Sequence, residues 1–229
     1  DTPMQEAYVN GYWEELVAFT RSLFNSTFKT NPYLERAIMT GITRVSREST
    51  FSDLNNLEVV TTLSLKYTTA FGFTEQEVFN SLDEFELSDQ KEEVKAWYDG
   101  FVFGKERDIY NPWSIINYLD KKEYRTYWAD SSSNGLVSKL IQQGSSKTKI
   151  IMGELLDGKS IKTKLDEQIV FDQLDGNTEA IWSLLLASGY LKVDYFDFAK
   201  ANGNNIYELS LTNFEVKKMF EKMIDNWFK

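Results

Sequence analysis

The chain of 229 residues contains no cysteine and no histidine. Without cysteine it can form neither disulfides nor thiolate nucleophiles, and without histidine it lacks the most common general base. The same two absences exclude zinc sites of the usual ligand types. Any chemistry in this chain must therefore use carboxylates, lysine, arginine, tyrosine or hydroxyl side chains.

Long hydrophobic runs are also missing. No apolar segment approaches the roughly 20 residues that a bilayer span requires, and the first residues do not form a basic, apolar signal segment. We therefore expect a soluble, cytoplasmic protein with no membrane partner. Basic residues are fewer than acidic ones, 25 against 35, and the net charge of −10 opposes a broad electrostatic grip on nucleic acid. We do not expect direct nucleic-acid binding.

Aromatic residues, in contrast, are abundant. The chain has 16 Phe, 12 Tyr and 6 Trp, which favours a packed core over disorder. Its length suits one large domain or two small ones. Six rings between residues 97 and 113 have helical and hairpin spacing, which favours core packing over a stacking surface for a base or peptide. These rings are Trp97, Tyr98, Phe101, Phe103, Tyr110 and Trp113.

The stretch Glu35–Ser46, ERAIMTGITRVS, passes from an apolar run into polar residues. This pattern predicts a buried central strand of an open α/β sheet. Because ligands lie at the carboxyl ends of such strands, Thr40, Thr43 and Arg44 are candidates for sensing a phosphate. The alternative is a structural strand end at which Arg44 pairs with a carboxylate.

Several segments carry helix signals. Gly11–Lys29 has apolar residues at spacings of three to five, which predicts an amphipathic helix. Thr74 stands three residues before Glu77 and predicts a helix that begins with a capping box. Ser88-Asp89 opens a further helix, for which Gly100 is a suitable end. The β-branched residues after Asn56 suit a loop with a short strand.

The middle of the chain predicts a hairpin and three helices. The glycines and rings between Trp97 and Tyr110 indicate an aromatic hairpin or loop, in which Asp99 is a turn or cap residue rather than a catalyst. Asn111 followed by Pro112 predicts a helix start. Short helices follow at Gly135–Gln143 and Lys149–Leu156, and the polar residues 144–147 between them are a candidate boundary.

The last third has the order of a winged-helix unit. We predict a helix at Thr178–Ala187, strands at Tyr190–Tyr195 and Ile206–Leu211, and a helix at Asn213–Phe228. The helix in the recognition position contains no lysine or arginine, whereas a helix that reads DNA needs basic or amide side chains. We therefore interpret the unit as a packing or partner-binding module.

Two groups of motifs could carry chemistry. Gly104-Lys105 and Gly158-Lys159 lack the upstream glycine of a phosphate-binding loop and are interpreted as turns. Glu93-Val94-Lys95 and Glu215-Val216-Lys217 match the Glu-x-Lys tripeptide of metal-dependent nucleases, which holds a metal and steadies the attacking water. Both tripeptides fall in predicted helices rich in glutamate and lysine, where this spacing arises by chance.

Seven segments in order resemble the AAA-ATPase-like family of bacterial proteins. They are DTP at Asp1, ERAIMTGITRVSRESTFSDLNNL, FGFTEQEV, KAWYDGFVFG, YNPWSIINYL, WSLLLASGYLKV and LTNFEVKKMF. The resemblance implies an α+β, mainly helical fold: a remnant of a P-loop ATPase core in residues 1–70, a helical lid in 71–145 and a winged-helix-like extension in 146–229.

The resemblance also implies what an intact parent would add. Asp1-Thr2-Pro3 matches the end of the Walker B segment, so we expect the Walker A loop and the Mg²⁺-binding Asp-Glu pair to precede Asp1, and a nuclease-like domain to follow. Asp1, Thr43 and Arg44 would lie near the nucleotide. We expect no catalytic residue or cofactor in this chain, ATP and Mg²⁺ in the parent, and self-association through exposed core surface. The alternative is a module in which lid and winged helix bind a partner.

Overall fold

A computed structural model of the chain describes residues 2–29, 31–41, 57–131, 134–165, 178–196 and 206–228. These residues form an α+β fold in which helices predominate and the strands make two small antiparallel sheets. The helices are α1 (Thr2–Asn10), α2 (Trp13–Phe28), α3 (Glu75–Glu84), α4 (Lys91–Tyr98), α5 (Pro112–Lys121), α6 (Gly135–Gln143), α7 (Ser146–Leu156), α8 (Thr178–Ala187) and α9 (Phe214–Asn226). The strands are β1 (Phe73–Thr74), β2 (Asp99–Phe103), β3 (Glu106–Tyr110), β4 (Ile161–Lys164), β5 (Leu191–Phe196) and β6 (Ile206–Leu211).

The first sheet has the order β1-β3-β2 and contains the predicted aromatic hairpin, β2–β3. The capping box that opens α3 is confirmed: the Thr74 side chain accepts from the backbone N–H of Glu77, and the Glu77 side chain accepts from the backbone N–H of Thr74 at 2.8 Å. The helix predicted from Ser88 begins as a 3₁₀ turn, Ser88–Gln90, and continues as α4. The predicted helix start at Asn111-Pro112 is also confirmed.

The second sheet has the order β4-β6-β5; β4 precedes α8 in the chain, and β5 and β6 lie between α8 and α9. The predicted order of helix, two strands and helix is confirmed, and β6 pairs with both of its neighbours. Strand β4 (Ile161–Lys164) was not predicted from the sequence. Helix α8 is buried along most of its length, with Trp182 only 2% exposed, so it is a core helix. The prediction that it does not read DNA stays a prediction.

The predicted strand at Glu35–Ser46 is wrong over the residues that the structure describes. Residues 35–41 have no regular secondary structure, and Ile38 is 89% exposed. An apolar run becomes a strand only where neighbouring strands satisfy its backbone groups, and within the described ranges none pairs with this segment. Residues 57–62, which include the β-branched run, likewise form no strand.

The described residues form two hydrophobic cores, and the chain passes from one core to the other near residue 128. One contains Val78, Leu82, Tyr98, Tyr110 and other side chains of residues 73–127, which we call the hairpin unit. The other combines α1 and α2 with the described residues of 128–228, which we call the main unit. Helix α1, at Thr2–Asn10, was not predicted, and Met4 and Ala7 are buried. The division into 1–70, 71–145 and 146–229 stays a prediction.

No helix among the described residues is both long enough and apolar enough to cross a bilayer.

Gly100 lies where the two units touch, and we expect its replacement to separate them. Gly100 has φ +134°, and a Cβ there would lie 1.9 Å from the backbone oxygen of Thr212. Gly100→Ala should lower the free energy of unfolding by more than about 2 kcal/mol, because the clash is with backbone. Gly153→Ala is the matched control: a Cβ at this position of α7 meets nothing within 4 Å, so urea unfolding should show a gain of about 0.5–1 kcal/mol. Equal stability of the two variants would contradict this account.

Candidate functional site

The residues that the resemblance places near a nucleotide, Asp1, Thr43 and Arg44, lie outside the described residues. Thr40, the other polar residue of the predicted strand end, is described and is exposed in the irregular segment 35–41. The phosphate-sensing role of this stretch stays a prediction. The polar features that the structure does describe are concentrated where the hairpin unit meets the main unit.

A fully buried carboxylate, Glu215 of α9, joins the two units. Its exposed fraction is 0%. Its Oε2 accepts a hydrogen bond from Ser114 Oγ at 2.8 Å, and its Oε1 accepts from the backbone N–H groups of Tyr127 at 2.6 Å, Trp128 at 2.7 Å and Ala129 at 3.4 Å. A carboxylate can be buried only when donors such as these replace its water. We call this contact the Glu215 joint.

Helix caps position both sides of the Glu215 joint. The Asn213 side chain accepts from the backbone N–H of Val216 at 3.0 Å, which starts α9 and places Glu215 in its first turn. The Asn111 side chain caps α5 and accepts from the backbone N–H of Ser114. Both ends of the contact are therefore fixed by local sequence signals, although the contact itself is not local.

Burial raises the pKa of Glu215 above its ordinary value, and the hydrogen bonds from Ser114 and the three backbone amides oppose that rise. The donors favour the ionised form, whereas the apolar surroundings favour the neutral one. Two further hydrogen bonds cross the same interface. Asn213 Nδ2 donates to the carbonyl oxygen of Tyr98 at 3.1 Å, and Arg107 Nη2 donates to the carbonyl oxygen of Asp194 at 2.7 Å.

A second polar cluster surrounds Lys95 on the hairpin unit. The Lys95 ammonium pairs with the Glu75 carboxylate and lies 3.4 Å from Asp108 Oδ1 and 3.9 Å from Asp99 Oδ2. The Tyr110 hydroxyl donates to Glu75 Oε2 at 3.4 Å. Asp99 Oδ1 is buried and has no hydrogen-bond partner among the described residues. One cation thus faces three carboxylates, and the most buried carboxylate is incompletely satisfied.

These surroundings raise the pKa of the Asp99 carboxyl group. Burial raises its pKa from 3.8 to about 6, the neighbouring Asp108 adds to the rise, and Lys95 and Lys192 oppose it. A carboxyl with a pKa in this range can exchange a proton near neutral pH, which is a property of many functional sites. Across the described ranges, no group of three or more acidic side chains is arranged to hold a metal ion.

Neither Glu-x-Lys tripeptide has the geometry of a nuclease site. Both lie on helices, as predicted: Glu93 is exposed on α4, while Lys95 pairs with other acids. The oxygens of Glu215 are occupied by Ser114 and the backbone amides, and Lys217 lies 3.9 Å from Glu221 on the same helix. The turn interpretation of the two Gly-Lys pairs is confirmed, since Gly104 and Gly158 both lie in turns.

The six rings between residues 97 and 113 mostly pack inside the protein, so the prediction of core packing is confirmed for most of them. The buried rings are Tyr98, Phe101 and Tyr110. Trp97 and Phe103 are half-buried, and Trp113 is 55% exposed.

Comparisons with known proteins show a likeness to an uncharacterised bacterial protein. The chain is 26% identical over 198 residues to a protein of Azotobacter chroococcum mcd 1 described as "Uncharacterized protein in vnfD 5'region". The alignment covers 86% of this chain and 36% of that protein, so the chain spans about a third of the length of this curated relative. No family model matches the chain. No solved structure matches it.

Removal of the Glu215 carboxylate should destabilise the protein strongly. Glu215→Ala leaves Ser114 and three buried amides without an acceptor, so we expect a loss of about 3–5 kcal/mol in the free energy of unfolding. Glu215→Gln keeps one acceptor oxygen and should cost about half as much. Chemical denaturation measures both, with the more exposed Glu221→Gln as a control expected within about 0.5 kcal/mol of the wild type. A Glu215→Ala protein of wild-type stability would refute the role of this joint.

Asp99→Asn should change how stability depends on pH. Because folding raises the pKa of Asp99 from 3.8 to about 6, the native state keeps a proton that the unfolded chain has lost. The raised pKa of Asp99 therefore adds to the free energy of unfolding in full below about pH 4, and this addition is lost as pH rises through 6. Asparagine does not ionise, so urea unfolding should show the variant more stable than the wild type at pH 7.5 by on the order of 1–2 kcal/mol, with no such gain at pH 4.

The control for this pH series is Asp120→Asn on the exposed end of α5. It removes a carboxylate that is not among the three paired with Lys95, so its effect on the free energy of unfolding should lack the step between pH 4 and pH 7.5 that is expected of Asp99→Asn. A pH-independent effect of Asp99→Asn as well would show that Asp99 ionises normally in the folded protein.

Proposed function

We propose that this chain forms the lid and C-terminal unit, with part of the core, of an AAA-ATPase-like protein, and that it does not hydrolyse ATP by itself. Residues 1–70 would belong to the core, 71–145 to the lid and 146–229 to a winged-helix-like extension. The phosphate-binding loop, ATP and Mg²⁺ would belong to the intact parent. The support is the resemblance of seven segments in the same order along the chain.

The observation that carries a lid role best is the Glu215 joint. A lid contributes to function when its movement is transmitted to another part of the protein. The joint fixes Ser114 of α5 and the amides of residues 127–129 to the first turn of α9. Separation of the two units would take the Ser114 hydroxyl and the Tyr127 amide away from the buried Glu215, which is costly. A displacement of the hairpin unit would therefore move the main unit with it.

Exposed apolar side chains in residues 1–70 agree with a missing neighbour. Phe19 on α2 is 64% exposed, Tyr33 is 94% exposed, and Leu23 and Ile38 are also exposed. Groups of apolar side chains at a surface commonly mark a contact with other protein. In the proposed parent the remaining core would cover them, and in this chain alone the same residues would promote self-association.

Phosphate release from ATP with Mg²⁺ tests the proposal. This chain alone should give no turnover above buffer, whereas the intact parent, with its Walker segments, should turn over. Arg44→Ala in the parent should lower turnover by about 10- to 1000-fold, because it removes a cation from the transferring phosphate. Arg36→Ala, eight positions earlier and exposed, is the control and should stay within about twofold of the wild type. Turnover by this chain alone, or a full rate in Arg44→Ala, would sink the proposal.

A further inference from the structure

An open cleft of about 520 Å³ lies where α5, the segment that follows it and α9 come together. Its walls include Trp97 and Tyr127, and its polar lining includes Lys121, Arg125 and Lys218. The volume is in the range of small-ligand sites. All of these residues lie in the part of the chain that the structure describes. The cleft is present whether or not the chain belongs to an ATPase.

The charge of this lining is opposite to that of the whole molecule. The lining contains three cations and one carboxylate, Asp130, whereas the chain has 25 basic and 35 acidic residues. Asp130 is itself neutralised: Lys222 Nζ donates to its Oδ2 at 2.9 Å, and Thr126 Oγ1 donates to the same oxygen at 2.7 Å. The cleft is therefore a local positive site on an acidic protein.

Aromatic rings hold two of the cations beside the cleft. Lys121 Nζ lies 5.0 Å from the centre of the Tyr127 ring, and Lys218 Nζ lies 5.0 Å from the centre of the Phe214 ring. Cation–π contacts of this length orient an ammonium without neutralising it. The faces of these rings are thus already in use, and Trp97 stacks on Tyr124 with centroids 5.6 Å apart. A base that must stack on a free ring would find little surface here.

The present partners of the cations are weak. Arg125 pairs with Glu123 at 2.5 Å, and Lys218 pairs with Glu221 at 2.8 Å. The two carboxylates are 54% and 36% exposed, and ion pairs at such positions contribute little to stability. They are nevertheless tethered to the same chain, which gives them a high effective concentration. A single negative charge in solution would not displace them, whereas a compact ligand with several charges would compete with them for the cations that line the same cleft.

We propose that this cleft binds the di- or triphosphate group of a small molecule. A guanidinium matches two phosphate oxygens with parallel hydrogen bonds, and two ammonium groups supply point charges for the remaining oxygens. Recognition rests on the phosphate chain, because Lys121 already lies over the Tyr127 ring and Trp97 is already in contact with Tyr124 and Phe214. No metal ion is needed for this contact, which separates it from the Mg²⁺-dependent site of an ATPase.

Calorimetric titration of the chain with sodium tripolyphosphate, without Mg²⁺, tests the proposal. We expect saturable binding of one ligand per chain that weakens as salt is added. The double variant Lys121→Gln/Lys218→Gln should bind at least about 10-fold more weakly, since two of the three charges are lost. Lys147→Gln/Lys149→Gln is the matched control, because both lysines are exposed on α7 outside the cleft. The control should bind like the wild type.

Further ligands separate the sources and the competing explanations. Competition between ATP without Mg²⁺ and tripolyphosphate would support a nucleotide as the source of the phosphates, and binding of tripolyphosphate alone would support a free polyphosphate. Equal affinity for citrate would overturn phosphate recognition. A single-stranded oligonucleotide that binds 10-fold more tightly than tripolyphosphate would overturn the small-molecule assignment. Absence of binding at millimolar tripolyphosphate, or equal weakening in both double variants, would overturn the site itself.

Discussion

A carboxylate that leaves water must find donors inside the protein, and Glu215 of the main unit finds two of its four donors, the Ser114 hydroxyl and the Tyr127 amide, on the hairpin unit. These two donors bond to Glu215 only when the hairpin unit and α9 are in contact, whereas the amides of Trp128 and Ala129 complete its acceptor set from the main unit itself. This requirement makes the interface specific, because apolar packing alone would tolerate sliding. The close approach of Gly100 to the Thr212 carbonyl and the hydrogen bond from Arg107 to Asp194 depend on the same alignment.

The segment from residue 125 to 130 serves both sides of this interface. Its backbone amides face inward to Glu215, while Arg125 and Asp130 line the cleft. A ligand in the cleft would contact α5, this segment and α9, and would therefore stabilise the joint as it binds. The Lys95 cluster lies nearby on the hairpin unit, where Asp99 carries a raised pKa and a buried oxygen without a partner in the described chain. The unusual polar chemistry of this protein is thus concentrated around one contact between units.

Local signals predicted local structure well. The capping box at Thr74, the Asn111-Pro112 start of α5 and the helix at Gly135–Gln143 all formed as expected, because each depends on residues within a few positions of one another. The strand predicted at Glu35–Ser46 did not form over residues 35–41, because a strand also needs neighbouring strands, which its own sequence does not predict. The fold class, α+β and mainly helical, could be predicted, whereas its arrangement into a hairpin unit and a main unit could not.

The sequence by itself determined the absence of thiol and imidazole chemistry, the helix starts and the acidic character of the chain, because these follow from composition or from neighbouring residues. In the sequence, Glu215 is the glutamate of a Glu-x-Lys tripeptide. Only the tertiary structure decided that its carboxylate accepts a hydrogen bond from Ser114, 101 positions away. It also decided that Lys121, Arg125 and Lys218 meet in one cleft despite a net charge of −10. Contacts between residues distant in sequence depend on how the two cores pack, and no short pattern encodes that packing.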